Sequence, residues 1–267
     1  MIMRNPLISL IIPTHRRGVL LSRALKSINC QLLRELIEVI LISDIIDDAT
    51  DLVGRELLLP NDIYIRRNGI PGPAESRNIG LQLATGKFIM FLDDDDCWSE
   101  SFTSELSLQL SNFNGQIGYM NCKVIKESRR HSIPDKLSES VLDLKEKLNI
   151  NVFVKNQIHM SCYIFSKSIL NGLIFDKSLR AYEDWDFQLG AIEREMPVHI
   201  PVICSLIHEV DDDSTDRRGS SEQATDFNAV LDYLNIYRKR TSPSEDIQIS
   251  RKALLDSVGL NLPYNLL

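Results

Sequence analysis

The sequence predicts an α/β fold with a mostly parallel central sheet flanked by helices. Short apolar runs rich in β-branched residues recur at residues 7–12, 37–42, 62–65 and 88–92, and a helical or helix-compatible stretch fills each interval. The runs lack polar alternation, the mark of strands covered by helices on both faces.

The first run ends at Pro13, and Leu20, Leu21, Ala24, Leu25 and Ile28 then recur at helical spacing. The second run ends at Ser43-Asp44. Residues 47–59 read as a helix stopped by Pro60, and residues 62–65 as a short third strand. A turn-rich segment at 68–73 precedes a helix over 74–84, with Gly86 placed as its C-terminal cap. The fourth strand, 88–92, runs directly into four aspartates. Beyond it the sequence predicts a helix over 102–110, a strand over 117–125 and a strand over 159–165. Trp185, Leu189 and Ile192 mark a helix face, and residues 198–207 read as a strand or a pair of strands. Residues 127–150 are a polar excursion, 211–223 a polar loop, and 227–237 and 251–258 two closing helices.

The chain has 267 residues, 43% of them hydrophobic, enough for one large core. A formal net charge of −7 offers no global basic surface for nucleic acid, so no nucleic-acid partner is expected. The five cysteines form no CxxC pair, which argues against a zinc site and for reduced thiols in a cytoplasmic protein. Neither a secretory leader nor an apolar stretch of transmembrane length is expected. No GxGxxG follows the first strand and no GxxxxGK[ST] loop occurs, which sets aside a dehydrogenase and a P-loop enzyme.

Ligands of open α/β sheets bind beyond the carboxyl ends of the strands, where Thr14, His15, Ser43, Asp44 and Asp93–Asp96 fall. Four adjacent carboxylates repel one another unless a cation or water neutralises them. Their oxygens suit Mg²⁺ or Mn²⁺, and period-two geometry would turn Asp93 and Asp95 to one side. The same residues would also serve as an acidic turn and helix cap. Glu183-Asp184 has a similar double reading, as a helix N-terminal cap or as a functional carboxylate pair. Tyr237, Arg238, Lys239, Arg240, Arg251 and Lys252 make a basic, partly amphipathic end. That end suits either peripheral contact with an anionic membrane face or ordinary packing on the core.

Five motifs occur in order: Ser9–Thr14, Val39–Asp44, Glu75–Lys87, Phe91–Asp96 and Glu183–Asp186. On these, the chain resembles family 2 glycosyltransferases, over about its first 210 residues. The resemblance implies a GT-A fold, with residues 1–210 as the catalytic domain. Within it, 1–100 would be a nucleotide-binding half and 101–210 an acceptor-binding half. Residues 211–267 would form a loop and a helical extension.

The resemblance further implies an inverting, metal-dependent transfer from a nucleotide-sugar donor to a glycan or lipid-linked acceptor, as in bacterial polysaccharide assembly. Pro13, Thr14, Asp44, Arg77 and Asp93 would bind the donor nucleotide. Ser43 stands where the family usually has a second aspartate. A carboxylate at 44 favours a base with an N–H donor, making UDP the expected nucleotide, with GDP and dTDP as alternatives. Asp95 and His208 would bind Mn²⁺ or Mg²⁺, and Asp184 would be the catalytic base. Glu183 and Trp185 would meet acceptor or sugar, Arg217 and Arg218 would clamp the diphosphate, and Asp94 would point away without a role. Asn78 would bind nucleotide or brace a loop. A nucleotidyltransferase and a catalytically degenerate nucleotide-binding module are the competing readings.

Overall fold

The structure, a computed structural model, describes residues 6–212 and 227–264. The first half follows the sequence pattern closely. Strands β1 (Ile8–Thr14), β2 (Ile37–Ser43), β3 (Ile63–Arg66) and β4 (Phe88–Phe91) alternate with helices α1 (Gly18–Asn29), α2 (Asp48–Leu57) and α3 (Pro73–Leu83). All the pairings among these four strands are parallel, in the order β3-β2-β1-β4. The chain winds outward from β1 to β3, then returns to the other side of β1 as β4. That reversal opens a crevice beyond the carboxyl ends of β1 and β4.

The second half changes the sheet's character. The short β5 (Cys97–Trp98), helix α4 (Phe102–Leu110), and strands β6 (Ile117–Ser128), β7 (Asp135–Leu142) and β8 (Tyr163–Ser166) come next. Helix α5 (Glu183–Ile192), strand β9 (Val198–Val210) and helices α6 (Phe227–Lys239) and α7 (Glu245–Ser257) complete the fold. β8 inserts antiparallel between β4 and β6, β9 runs parallel to β6, and β5 pairs antiparallel with β9. The sheet as a whole is therefore mixed: all parallel from β3 to β4, and beyond that antiparallel except for the β6–β9 pair. The polar stretch from 127 onward contains a hairpin: β6 continues to Ser128 and β7 returns beside it. β7 is exposed over almost its whole length, so no apolar alternation marks it in the sequence. Residues 198–210 form one strand, with a register shift against β6 near Asn121 that absorbs Pro201.

One core runs through both halves and includes Ile236, Tyr237, Ile247 and Leu255 of the closing helices. Among the basic C-terminal residues Arg240 and Arg251 are turned inward, whereas Arg238 and Lys239 are exposed. Arg251 is fully buried, donates to the carbonyls of Phe153, Tyr237 and Arg240, and stacks on the Tyr237 ring. Lys239 and Arg240 pair with Asp186 on α5. Of the two readings of this basic end, ordinary packing accounts for Arg240 and Arg251. No helix among the described residues is long and apolar enough to cross a membrane.

A buried carboxylate ties the β1–β2 pair to the α3–β4 turn. Glu38 accepts from the Ser9 hydroxyl, from the Thr85 hydroxyl at 2.9 Å, and from the Thr85 and Gly86 amides. Gly86 is required for this approach rather than for a helix cap. A Cβ there would lie 2.6 Å from the Ser9 amide nitrogen, a backbone atom that cannot move aside. Gly86→Ala is expected to destabilise the protein by about 1–3 kcal/mol, the usual cost of overpacking. Chemical denaturation of the two proteins measures it.

Candidate active site

The carboxyl ends of β1, β2 and β4 and the N-terminus of α5 converge on the crevice. At its centre the four aspartates form a turn, closed by the Asp96 amide donating to the Asp93 carbonyl at 3.1 Å. The side chains alternate: those of Asp93 and Asp95 are 42% and 23% exposed, whereas Asp94 and Asp96 are buried. The sidedness read from the sequence therefore holds.

Asp94 points inward and has a structural task that sequence reading missed. It accepts from the Thr14 hydroxyl at 2.8 Å and the His15 amide at 3.3 Å, joining the ends of β1 and β4. Thr14 is buried and turned to Asp94, and Pro13 beside it is buried too, so neither offers its side chain to the crevice. Asp96 accepts from the Ser161 hydroxyl and the His208 amide, tying the turn to β9. Burial, with Asp95 and Asp93 nearby, pushes its carboxyl well above the usual range.

Asp95 is held by arginines. Arg17 and Arg129 donate to its Oδ2 at 3.0 and 3.1 Å, and no described residue engages Oδ1. Arg23 and Arg129 also pair with the buried Glu127, which accepts from His208 Nδ1 at 2.8 Å. Burial raises the Glu127 carboxyl, but hydrogen bonds from His208, Arg23 and Arg129 outweigh it and hold the group well below the usual range. Among the described residues, His208 Nε2 is buried with no hydrogen-bond partner. Arg17 lies in a dibasic pair visible in the sequence. Arg129 and Glu127 sit in the polar stretch, where no periodicity points to them.

Asp44 is buried and already engaged. His15 Nδ1 lies 2.5 Å from its Oδ1, and the Gly72 amide donates to its Oδ2 at 2.7 Å. Gly72 has φ of 151°, in the left-handed region that favours glycine, so Asp44 also braces the strained turn before α3.

Arg77 is buried on the first turns of α3 with both terminal nitrogens of its guanidinium engaged. Nη1 donates to Glu183 at 2.8 Å and Nη2 to Asp93 at 2.7 Å, with the Phe175 ring beneath. Its burial alone would lower its pKa, but Asp93 and Glu183 raise it and hold the cation charged. The next residue, Asn78, makes two hydrogen bonds with the Phe175 backbone, which is the loop-bracing role.

Asp184 follows Glu183 on the first turn of α5. It accepts from the Trp185 amide at 2.7 Å and from the Asn156 amide group at 3.4 Å. Burial and the Glu183 charge push its carboxyl up to about 6, against the opposing pull of Arg77. Trp185 is a correction to the sequence reading. It is fully buried, its indole N–H donates to the Val152 carbonyl at 2.8 Å, and its ring packs on Tyr182, Tyr233 and Tyr237. No face remains for a sugar. Arg217 and Arg218 lie outside the described residues.

The glycosyl transferase family 2 model matches residues 9–171, well over half of the chain. The chain belongs to that family. A Campylobacter jejuni protein named GalNAc(5)-diNAcBac-PP-undecaprenol beta-1,3-glucosyltransferase is 30% identical over 184 residues, covering 67% of this chain and 57% of that one. The chain thus spans little more than half that relative's length. The Bacillus subtilis minor teichoic acid biosynthesis protein GgaB is 27% identical over 66% of this chain and 20% of its own. Among solved structures, S. aureus TarS 1-349 in complex with UDP-GlcNAc aligns with a TM-score of 0.67 at 16% identity, covering 93% of this chain and 71% of that one. Mannosyltransferase PcManGT from Pyrobaculum calidifontis, in complex with GDP-Man and Mn²⁺, aligns at 0.62 and 16% identity, covering 96% and 74%. The fold is therefore of the GT-A type. Family membership leaves the nucleotidyltransferase reading without support.

The Arg77 bridge gives a test of the site's electrostatics. Arg77→Met removes the cation that opposes protonation of Asp184, so the Asp184 midpoint is expected to rise above about 6. Leaving Glu183 buried and unpaired is expected to cost about 3 kcal/mol of stability. Carboxyl-detected NMR titration and urea unfolding check the two effects.

Proposed function

We propose that this chain is an inverting glycosyltransferase that moves a sugar from a UDP-sugar to an acceptor hydroxyl, with Asp184 as catalytic base. The observation that carries the reading is the setting of Asp184. It is a carboxyl raised to about 6, on the rim of the crevice, joined through Glu183 and Arg77 to Asp93 at the end of β4. A general base works best when its pKa lies near the operating pH.

Asp184 takes the proton of the acceptor hydroxyl as that oxygen bonds to the anomeric carbon, while the bond from that carbon to the diphosphate oxygen breaks on the opposite face. One displacement of this kind inverts the anomeric centre. Asp93 and Glu183, both fixed by Arg77, are placed to meet donor and acceptor hydroxyls. Asp44, with His15 against it, lies at the end of β2 where the base would be read. Guanine or thymine donors are the alternatives there.

A divalent cation fits the donor atoms present. Mg²⁺ is usually held by one or two carboxylates with substrate phosphates, and imidazole suits Mn²⁺. Asp95 through Oδ1 and His208 through its unpartnered Nε2 would hold it, with Asp93 beside them. Among the described residues no three such side chains converge into a preformed cage, so the donor's phosphates would complete the shell. When bound, the cation would neutralise charge developing on the departing diphosphate. A lipid-linked glycan acceptor is supported by the undecaprenol compound in the Campylobacter relative's name. A peripheral position at the inner membrane face would suit such an acceptor.

Calorimetric titration with UDP, GDP and dTDP, each with Mn²⁺ and then with EDTA, tests the donor side. Metal-dependent binding of UDP is expected, and Asp95→Ala is expected to lose it. Preference for GDP or dTDP would overturn the donor assignment, and no binding by folded protein would favour a degenerate module. For the base, Asp184→Asn should keep nucleotide affinity and lose about 10²–10⁴-fold in turnover. Because the base must be ionised, kcat/KM should fall about tenfold per pH unit below about 6 and level off above it. Normal turnover by Asp184→Asn would sink the base assignment.

A further inference from the structure

The family match ends at residue 171, twelve residues before α5 begins, and α6 lies farther still along the chain. Yet α6 is built around the segment that carries Glu183 and Asp184. Asp232 is buried, and its Oδ2 accepts from two successive amides, Arg180 at 3.1 Å and Ala181 at 2.8 Å. Tyr182 follows, with φ of 61° and ψ of 18°. A bulky aromatic residue in the left-handed region is strained and persists only where its surroundings over-determine it. Those surroundings are again α6: the Tyr182 ring meets the Tyr233 ring edge-on at 4.9 Å, and Tyr233 and Tyr237 both pack on Trp185. At the other end of α6, Lys239 and Arg240 grip Asp186 at 2.7 and 2.9 Å. Contacts from one helix thus hold the backbone just before the carboxylate pair and the first turn just after it.

We propose that Asp232 and Tyr233 of α6 are positioning residues for the transfer reaction, holding Tyr182 in its left-handed conformation so that α5 presents Asp184 at the crevice. The inference rests on Asp184 being the base. Two amide hydrogen bonds on one buried carboxylate fix the direction in which the chain enters α5, and the tyrosine contact fixes the turn. Without them the 180–182 segment relaxes to an unstrained conformation, the first turn of α5 loosens, and water reaches Asp184. The groups facing Asp184 are Asn156, Glu183, Arg77, Tyr163, Tyr233 and, at longer range, Asp93. Neither Asp232 nor Tyr233 needs to touch the substrate.

The test is the Asp184 titration midpoint, read by carbon-detected NMR on aspartate-labelled protein, with Asp184→Asn used to assign the signal. Asp232→Ala should move that midpoint down toward the ordinary carboxylate range by more than one pH unit, because solvent entry removes the desolvation that raises it. Asp232→Asn keeps an oxygen that accepts both amides and should restore the wild-type midpoint, which loss of global stability alone would not predict. Tyr233→Leu keeps an apolar contact while removing the ring, and should give an intermediate shift if Asp232→Ala does not fold. A raised wild-type midpoint that is unmoved in the folded Asp232→Ala and Tyr233→Leu proteins would overturn the positioning role alone. An ordinary wild-type midpoint would also overturn this inference, whereas normal turnover by Asp184→Asn would overturn the base assignment on which it rests.

Discussion

The Arg77 bridge is the constraint on which the site depends. A guanidinium removed from water must be neutralised, and here two carboxylates from distant parts of the chain do so: Asp93 at the end of β4 and Glu183 at the start of α5. The planar fork fixes both at once, which a lysine could not do. The parallel half of the sheet and the helix carrying the proposed base are thereby held in register across the crevice. The Asn78 hydrogen bonds to Phe175, and the stacking of Phe175 on Phe187 at 3.9 Å, extend the same junction into the core.

Around that bridge the crevice is crowded with charge and almost all of it is paired. Asp94 locks the strand ends, Asp44 braces the turn before α3, and Glu127 gathers Arg23, Arg129 and His208. Such a network positions Asp95 and His208 without using up Asp95 Oδ1 or His208 Nε2. In the proposed transfer, a departing diphosphate would call for positive charge near these atoms. Arg17 and Arg129 already supply it against Asp95.

Much of this was legible in the chain itself. The alternation over residues 7–92 specified four strands and three helices, because strands buried on both faces must be apolar throughout. The five ordered motifs identified the family, and the period-two sidedness of Asp93–Asp96 survives in the structure. What misled was local chemistry without context. Trp185 beside an acidic pair looks like a sugar platform, and only packing shows that its ring is buried under α6. The basic C-terminal residues suit a membrane face or packing on the core, and only their partners show that Arg251 and Arg240 point inward. β7 escaped detection because an exposed edge strand carries no hydrophobic period.

The sequence by itself determined the fold class, the family and which carboxylates border the crevice, since these follow from periodicity and from the order of motifs along one dimension. Tertiary structure alone decided how those groups are paired: Arg77 with both Asp93 and Glu183, Asp95 with two arginines, Asp44 with His15, and Asp232 with the segment before α5. The reason is physical. The energy of a charge in a protein depends on its burial and on neighbours within a few ångströms, and across most of these pairs those neighbours lie tens of residues away in the chain.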